Sequence, residues 1–171
     1  MTNTIACVEK ADVILITGSN TTENHPVISA GVKRAVESGR TKLIVVDPRF
    51  IKIASFADIY LRQNLGSDVA WLNGMMHVII KEERYDKTFV DERTEGFEEL
   101  KAAVEKYTPA HVEEISGIPA ERLVAAARMY ADANVASILY CMGITQHTSG
   151  TDNVKSLANL AMLCGNLGMP G

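Results

Sequence analysis

The residues of this chain that could do chemistry fall in short polar clusters, each placed directly after an apolar run. The first is Gly18-Ser19-Asn20-Thr21-Thr22. Gly18 can take the backbone angles of a sharp turn, and the side chains after it offer short polar groups where a helix N-terminus would face a ligand. The pattern follows phosphate-loop logic with a single glycine. It has neither the G-x-G-x-x-G of nicotinamide enzymes nor the Lys-Ser/Thr ending of nucleotide triphosphatases, and an ordinary strand-to-helix turn would look the same. Asp47-Pro48-Arg49 follows a second apolar run. An acid at that place commonly meets a ribose hydroxyl, or else it is a turn acid before proline, and Arg49 could pair with a phosphate or with Asp47 itself. A third loop, Gln63 to Asp68, brings a glycine, a hydroxyl and a carboxylate. Asp68 also stands where it would cap the following helix. Such loops along one sheet edge point to an elongated polar ligand.

These clusters need elements that bring them together. Val13-Ile14-Leu15-Ile16 and Leu43-Ile44-Val45-Val46 read as strands buried on both faces, the kind found in parallel sheets, with the first of them central. Between them a helix is expected from Pro26 to Ser38, with proline in its first turn and Gly39 just past its end. Its residues Val27, Ile28, Ala30, Val32, Ala35 and Val36 should form one buried face. Strand, helix and strand then make a right-handed crossover unit. A short helix is expected over Thr4 to Lys10, a third strand over Asp58 to Arg62 and a long helix over Asp68 to Arg84. His77, inside that helix, reads as a helix residue rather than a ligand. Helical pieces follow at Phe97 to Tyr107 and Pro109 to Ser116, with charges on solvated faces and His111 at the surface. A strong helix spans Ala120 to Ala133. A fourth buried strand covers 136 to 140, and after the polar loop MGITQHTSGTDNV a helix runs from Val154 to Leu163 into a glycine-rich turn. The fold class is α/β, a doubly wound and mainly parallel sheet with helices on both faces, Rossmann-like.

Composition bounds the rest. With 171 residues, 47% of them hydrophobic, the chain can bury one good core and is expected to be a single domain over 1–171. A net charge of -4 without a basic stripe argues against nucleic acid as a partner. No apolar run approaches the roughly 18 residues of a membrane span, and the first residues lack the pattern of a signal peptide, so no membrane contact is expected. Cys7, Cys141 and Cys164 form no C-x-x-C pair and cannot by themselves build a zinc or iron–sulfur site. Buried thiols in a reducing, cytoplasmic compartment are expected, although a segment of an exported protein would read the same way.

Taken jointly, GSNTTENHPV (18–27), VVDPR (45–49), LGSD (65–68), the stretch 96–131, and MGITQH with SLANLAMLCGNLGMPG (142–147 and 156–171) resemble the molybdopterin oxidoreductase family. Within it they look most like formate dehydrogenase alpha subunits. The resemblance covers essentially the whole chain. It implies one of the dinucleotide-type domains that hold a bis-molybdopterin guanine dinucleotide cofactor around molybdenum or tungsten, in an oxidoreductase that oxidises formate to carbon dioxide. Carried over residue by residue, it puts Gly18, Ser19, Asn20, Glu23 and His25 in the first cofactor loop. Val46, Asp47, Pro48 and Arg49 fall by the ribose and phosphates, and Leu65, Gly66, Ser67 and Asp68 by the guanine. Met142, Gly143, Gln146 and His147 fall toward the pterin.

The departures from the family pattern are informative too. Such proteins carry a cysteine cluster for a four-iron four-sulfur cluster, a metal-ligating cysteine or selenocysteine followed by histidine, and a catalytic arginine. None has a counterpart here, so no catalytic residue and no metal ligand is assigned. The chain reads as an excised interior segment, inactive alone. Its expected partners are the rest of the same polypeptide, with a second dinucleotide-type domain and an iron–sulfur domain, and electron-transfer subunits; weak self-association through the severed face is also expected. Other members of the family, such as a nitrate reductase, share these loops, and a stand-alone nucleotide-binding module is the remaining alternative.

Overall fold

The computed structural model describes residues 4–168. Its sheet has four parallel strands, β1 (Val13–Thr17), β2 (Lys42–Val46), β3 (Ile59–Leu61) and β4 (Ala136–Tyr140), in the order β3-β2-β1-β4. The two uninterrupted apolar runs occupy the two inner positions. There a strand is covered on both faces and needs no polar alternation, and every residue of β1 is buried. Register aligns the strand ends: Thr17 pairs with Val46 on one side and Tyr140 on the other, and Val46 pairs with Leu61. The chain moves outward from β1 to β3 and then returns to the far side of β1 for β4. That reversal makes the β1/β4 boundary the topological switch point, where doubly wound sheets open a crevice.

Alternate side chains of the strands feed two cores. On one face Ile14, Ile16, Leu43 and Val45 pack with Val8 of α1 (Ile5–Val8), Val32 of α3 (Pro26–Glu37) and Ile53 of the 3-10 turn Lys52–Phe56. On the other, Val13, Leu15, Ile44 and Val46 meet a larger helical layer built around α4 (Asp68–Lys81). Trp71, Leu72, Met75, Met76 and Ile79 of α4 are fully buried. Around it lie α6 (Phe97–Val104), α7 (Pro109–Ser116), α8 (Ala120–Ala131) and α10 (Gly150–Leu163). Because α4 is buried on nearly all sides, it is apolar all round rather than striped.

Several expectations change. Val27 is 79% exposed and Ala30 is exposed too; the buried face of α3 is built from Ser29, Gly31, Val32 and Ala35, small residues that let the helix lie close to the sheet. The long helix α4 stops at Lys81, before Glu83 takes a positive φ of 54°. β4 is a sheet edge, so Ser137, Ile138 and Leu139 are only half-buried and Tyr140 is exposed. α10 begins at Gly150, ahead of the apolar residues that mark it in the sequence. Short helices α2 (Thr21–Asn24), α5 (Lys87–Arg93) and α9 (Met142–Thr145) carry no periodic signal at all. Cys7, Cys141 and Cys164 are not joined in disulfides and are only half-buried. In the glycine-rich stretch after α10, Gly165 and Gly168 have positive φ, while Met169, Pro170 and Gly171 lie outside the described residues.

Candidate functional site

The loops after all four strands meet in one crevice at the carboxyl edge of the sheet. It is lined among others by Gly18, Ser19, Asn20, Asp47, Arg49, Gln63, Asp68, Met142 and His147. Its volume, about 260 Å³, is small beside the roughly 300–1,000 Å³ of sites that enclose a drug-sized molecule, so it suits one end of a larger ligand.

The floor is set by two glycines from loops that are far apart in sequence. Gly18 has φ +57° and its carbonyl accepts from Gly143 N–H at 3.0 Å. A Cβ at Gly18 would lie 2.7 Å from the Gly143 carbonyl carbon, and one at Gly143 would lie 2.6 Å from Gly18 Cα. Neither contact can be relieved by turning a side chain, because both neighbours are backbone. His147 donates from Nε2 to the Gly143 carbonyl at 2.9 Å and holds the β4 loop over this contact.

On one side of the floor, Ser19 is buried and Asn20 donates from Nδ2 to Glu23 Oε2 at 2.9 Å. The Asn20 Oδ1 is buried without a hydrogen-bond partner. On the other side, Asp47 leaves the end of β2 with only 4% of its surface exposed. Its Oδ1 accepts from Arg49 N–H at 2.8 Å, so it is a turn acid, and it also lines the crevice. Burial pushes its carboxyl above the ordinary carboxylate range, against the opposing effects of the Arg49 N–H and guanidinium, with the neighbouring Asp68 pushing the same way as burial. Arg49 itself stands off, 4.0 Å from Asp47 and 73% exposed, free to meet an anion. Tyr60 Oη donates to the Asp47 carbonyl and Arg62 Nε to the Pro48 carbonyl, which pins this turn to β3.

The third loop is anchored from below. Asn64 N–H donates to the Ser116 carbonyl at 2.7 Å and Asn64 Nδ2 to the Ile115 carbonyl, at the end of α7, while Ser67 Oγ donates to the Asn64 carbonyl. Asp68 is the first residue of α4 and 4% exposed, and it makes no capping bond: its Oδ1 accepts only from Trp71 Nε1, at 3.3 Å. A buried carboxylate has room for about four hydrogen bonds, so Asp68 has unused acceptor capacity inside the crevice. Gln63 adds a buried Oε1 that has no partner either.

Of the residues singled out in the sequence, Gly18, Ser19, Asn20, Asp47, Pro48, Arg49, Leu65, Gly66, Asp68, Met142, Gly143 and His147 line this crevice. Val46 is wholly buried in the core, and the Ser67 hydroxyl is used within its loop. Glu23 turns to Asn20 and to Lys52, Gln146 is exposed beside the crevice, and His25 lies 4.0 Å from the Cys141 thiol. Asn24, Gln63, Asn64 and Cys141 also line it without having been marked. Gln63 could have been found from its place in the loop between β3 and Gly66; the others have no sequence signal. Among the described residues no group of three or more His, Cys, Asp or Glu side chains could hold a metal ion, and no helix is long and apolar enough to cross a membrane.

The family model for molybdopterin oxidoreductases matches residues 1–171. The alpha subunit of F420-dependent formate dehydrogenase 1 from Methanococcus maripaludis is 54% identical over 171 residues, 100% of this chain and 25% of that protein. Formate dehydrogenase H of Escherichia coli is 48% identical over 170 residues, 99% of this chain and 24% of that protein. Among solved structures, acetylene hydratase from Pelobacter acetylenicus superposes with a TM-score of 0.88 at 34% identity, covering 96% of this chain and 22% of that one. The chain thus spans about a quarter of the length of the curated relatives it matches.

Proposed function

Because the chain belongs to the molybdopterin oxidoreductase family, we propose that its crevice holds the guanine nucleotide end of a molybdopterin guanine dinucleotide in a formate dehydrogenase alpha subunit. The reading is supported by what the crevice lacks as much as by what it has. Several of its acceptors have unused capacity: Asp47, Asp68, Asn20 Oδ1 and Gln63 Oε1. Buried acceptors without donors are costly and few in native proteins. A nucleoside supplies the missing hydrogens, from the ring N–H and amino group of guanine and from the ribose hydroxyls.

The division of labour follows from position. Asp68 takes the adjacent donors of guanine, Asp47 a ribose hydroxyl, and Arg49 with the turn at Gly18 and Ser19 the phosphates. The Gly18–Gly143 contact lets the ligand approach the backbone of both loops closely. When bound, the cofactor supplies the redox chemistry, with molybdenum or tungsten, by which formate is oxidised to carbon dioxide. This chain's residues bind and orient one end of it. The second dinucleotide, the iron–sulfur cluster and the metal-ligating cysteine or selenocysteine belong, on this reading, to other parts of the whole enzyme. The chain by itself is then inactive, and reduction of a dye by formate with this chain alone would contradict that assignment.

The observation that carries the reading is Asp68, buried at the head of α4 with a single hydrogen bond. Adenine presents a ring lone pair where guanine presents its ring N–H, and has no amino group beside it, so one carboxylate oxygen would face a lone pair. A mismatch of that kind costs about 1–3 kcal/mol. Ligand-observed magnetic resonance at high protein concentration should therefore show GDP bound roughly tenfold or more tighter than ADP, and Asp68→Asn should erase the preference while the chain stays folded. Equal binding of the two nucleotides would refute the proposal.

A further inference from the structure

We infer that Gln63 is a second reader of the guanine base, accepting the amino hydrogen that Asp68 leaves unused. This rests on the reading of the crevice as a guanine nucleotide site and extends it to a residue outside the segments that carry the family resemblance. Gln63 follows the end of β3 by two positions and shares its loop with Gly66 and Asp68. Its side chain is 6% exposed, lines the crevice, and ends in an Oε1 that no donor reaches.

The donors of its loop and of the neighbouring crevice wall are directed elsewhere: Asn64 Nδ2 donates to the Ile115 carbonyl and Asn20 Nδ2 to Glu23. The Ser67 hydroxyl donates to the Asn64 carbonyl and Trp71 Nε1 to Asp68. The terminal torsion of glutamine is soft, so the amide can turn its oxygen to the crevice when a donor arrives. A neutral amide is also the acceptor that this place tolerates. Asp47 and Asp68 already bring two buried carboxylates together, and Asp68 is among the influences that raise Asp47. A third charge would add to that repulsion, whereas an amide oxygen adds an acceptor at no charge.

Guanine has three hydrogens along its edge, one on the ring nitrogen and two on the amino group. A carboxylate spans the ring N–H and the nearer amino hydrogen. The second amino hydrogen points away from that carboxylate and remains to be met. Hypoxanthine and adenine have no amino group there, so Gln63 discriminates against both, independently of Asp68.

The test uses the purified chain with GDP, IDP and N2-methyl-GDP, read by ligand-observed magnetic resonance, with circular dichroism and a melting curve for every variant. If both amino hydrogens are used, the wild-type chain binds N2-methyl-GDP about five- to tenfold more weakly than GDP, close to IDP. Gln63→Met, which keeps length and removes the acceptor, weakens GDP by a similar factor and leaves IDP unchanged, because IDP leaves that oxygen unpaired in either case. Equal affinity of the wild-type chain for GDP and N2-methyl-GDP overturns the inference, and so does a Met variant that weakens GDP and IDP alike. Should the Met variant fail to fold, the wild-type comparison of GDP with N2-methyl-GDP decides alone. Loss of the GDP over ADP preference in the wild-type chain would instead sink the guanine reading itself, which distinguishes the two failures.

Discussion

The two ends of the sheet use the same residue types for opposite purposes. At the amino end of the strands each carboxylate is spent on the fold. Asp12 Oδ2 accepts from Asn134 Nδ2 and Val135 N–H, and Asp58 accepts from Lys42 Nζ and from Leu43 N–H, both at 2.9 Å. The Thr41 hydroxyl donates to the Ala11 carbonyl, and Asn166 Oδ1 accepts from Ala136 N–H, although the Asn166 Nδ2 is buried without a partner. Glu82, just past α4, is gripped by Arg128 and Arg84. At the carboxyl end, Asp47 and Asp68 are buried more deeply than Asp58 yet each accepts a single bond, and the Asn20 and Gln63 oxygens accept none. At the amino end the carboxylates are used by the fold; at the carboxyl end acceptors with unused capacity gather in one crevice, where the donors of a ligand can reach them.

The largest difference between the ends should come from glycines. Gly18 and Gly39 both have positive φ, +57° and +74°. Gly39, at the amino end between α3 and β2, has open space around it, whereas Gly18 meets backbone. Gly39→Ala should cost about 1 kcal/mol in denaturant unfolding, from the left-handed backbone alone. Gly18→Ala should cost about 2–4 kcal/mol, because strain and collision add. Equal costs would mean that the two loops do not touch as described.

Asp58→Ala and Asp68→Asn should separate stability from binding. The first removes the partner of Leu43 N–H at the start of β2 and should lower stability by about 1 kcal/mol with GDP binding intact. The second should leave stability nearly unchanged, since an amide oxygen still accepts from Trp71, while removing the preference for GDP. If both variants lost binding in proportion to stability, the ends would not differ in purpose.

Asp47 sharpens the contrast through pH. Burial raises its carboxyl, so the folded chain retains a proton that the unfolded chain has already released. Its contribution to stability is therefore greatest below the ordinary carboxylate range and declines as pH rises through that range to the raised native value. Asp47→Asn should flatten that decline and raise the unfolding midpoint at neutral pH, while weakening GDP. A variant less stable than the parent at neutral pH would contradict this sign.

The smallest effect belongs to Glu82, lowered from 4.5 to about 2 by its hydrogen bond with Arg128 and then by Arg84. A depressed acid gives stability that is present above its unfolded value and lost as pH falls through about 2. The ion pairs are open to solvent, so Glu82→Gln should cost only about 0.5 kcal/mol at neutral pH and none in strong acid.

How much of this was legible in the sequence depends on what each region is made of. β1 and β2 were legible because an inner parallel strand must be apolar at every position, and Val13-Ile14-Leu15-Ile16 admits no other sheet position. The crevice loops were legible because small and acidic residues directly follow those runs. β4 was misjudged as buried: Ala136 to Tyr140 is apolar enough for the interior, and composition does not say which strand ends at an edge. The face of α3 was misjudged because Ser29 and Gly31, not the large residues, lie against the sheet. The free acceptor of Gln63 was invisible for a different reason. Whether an amide is satisfied depends on where Asn64, Ser67 and Trp71 send their own donors, and that is settled only by the folded loop.

The most direct test of the central contrast is to titrate GDP into the isotopically labelled chain and follow every backbone amide by magnetic resonance. The account predicts saturable shifts at 18–20, 47, 49, 63–68 and 141–143, with the amides of Asp12, Thr41, Asp58 and Val135 unmoved. Shifts at the amino end of the sheet, or none at the carboxyl end up to millimolar nucleotide, would contradict it.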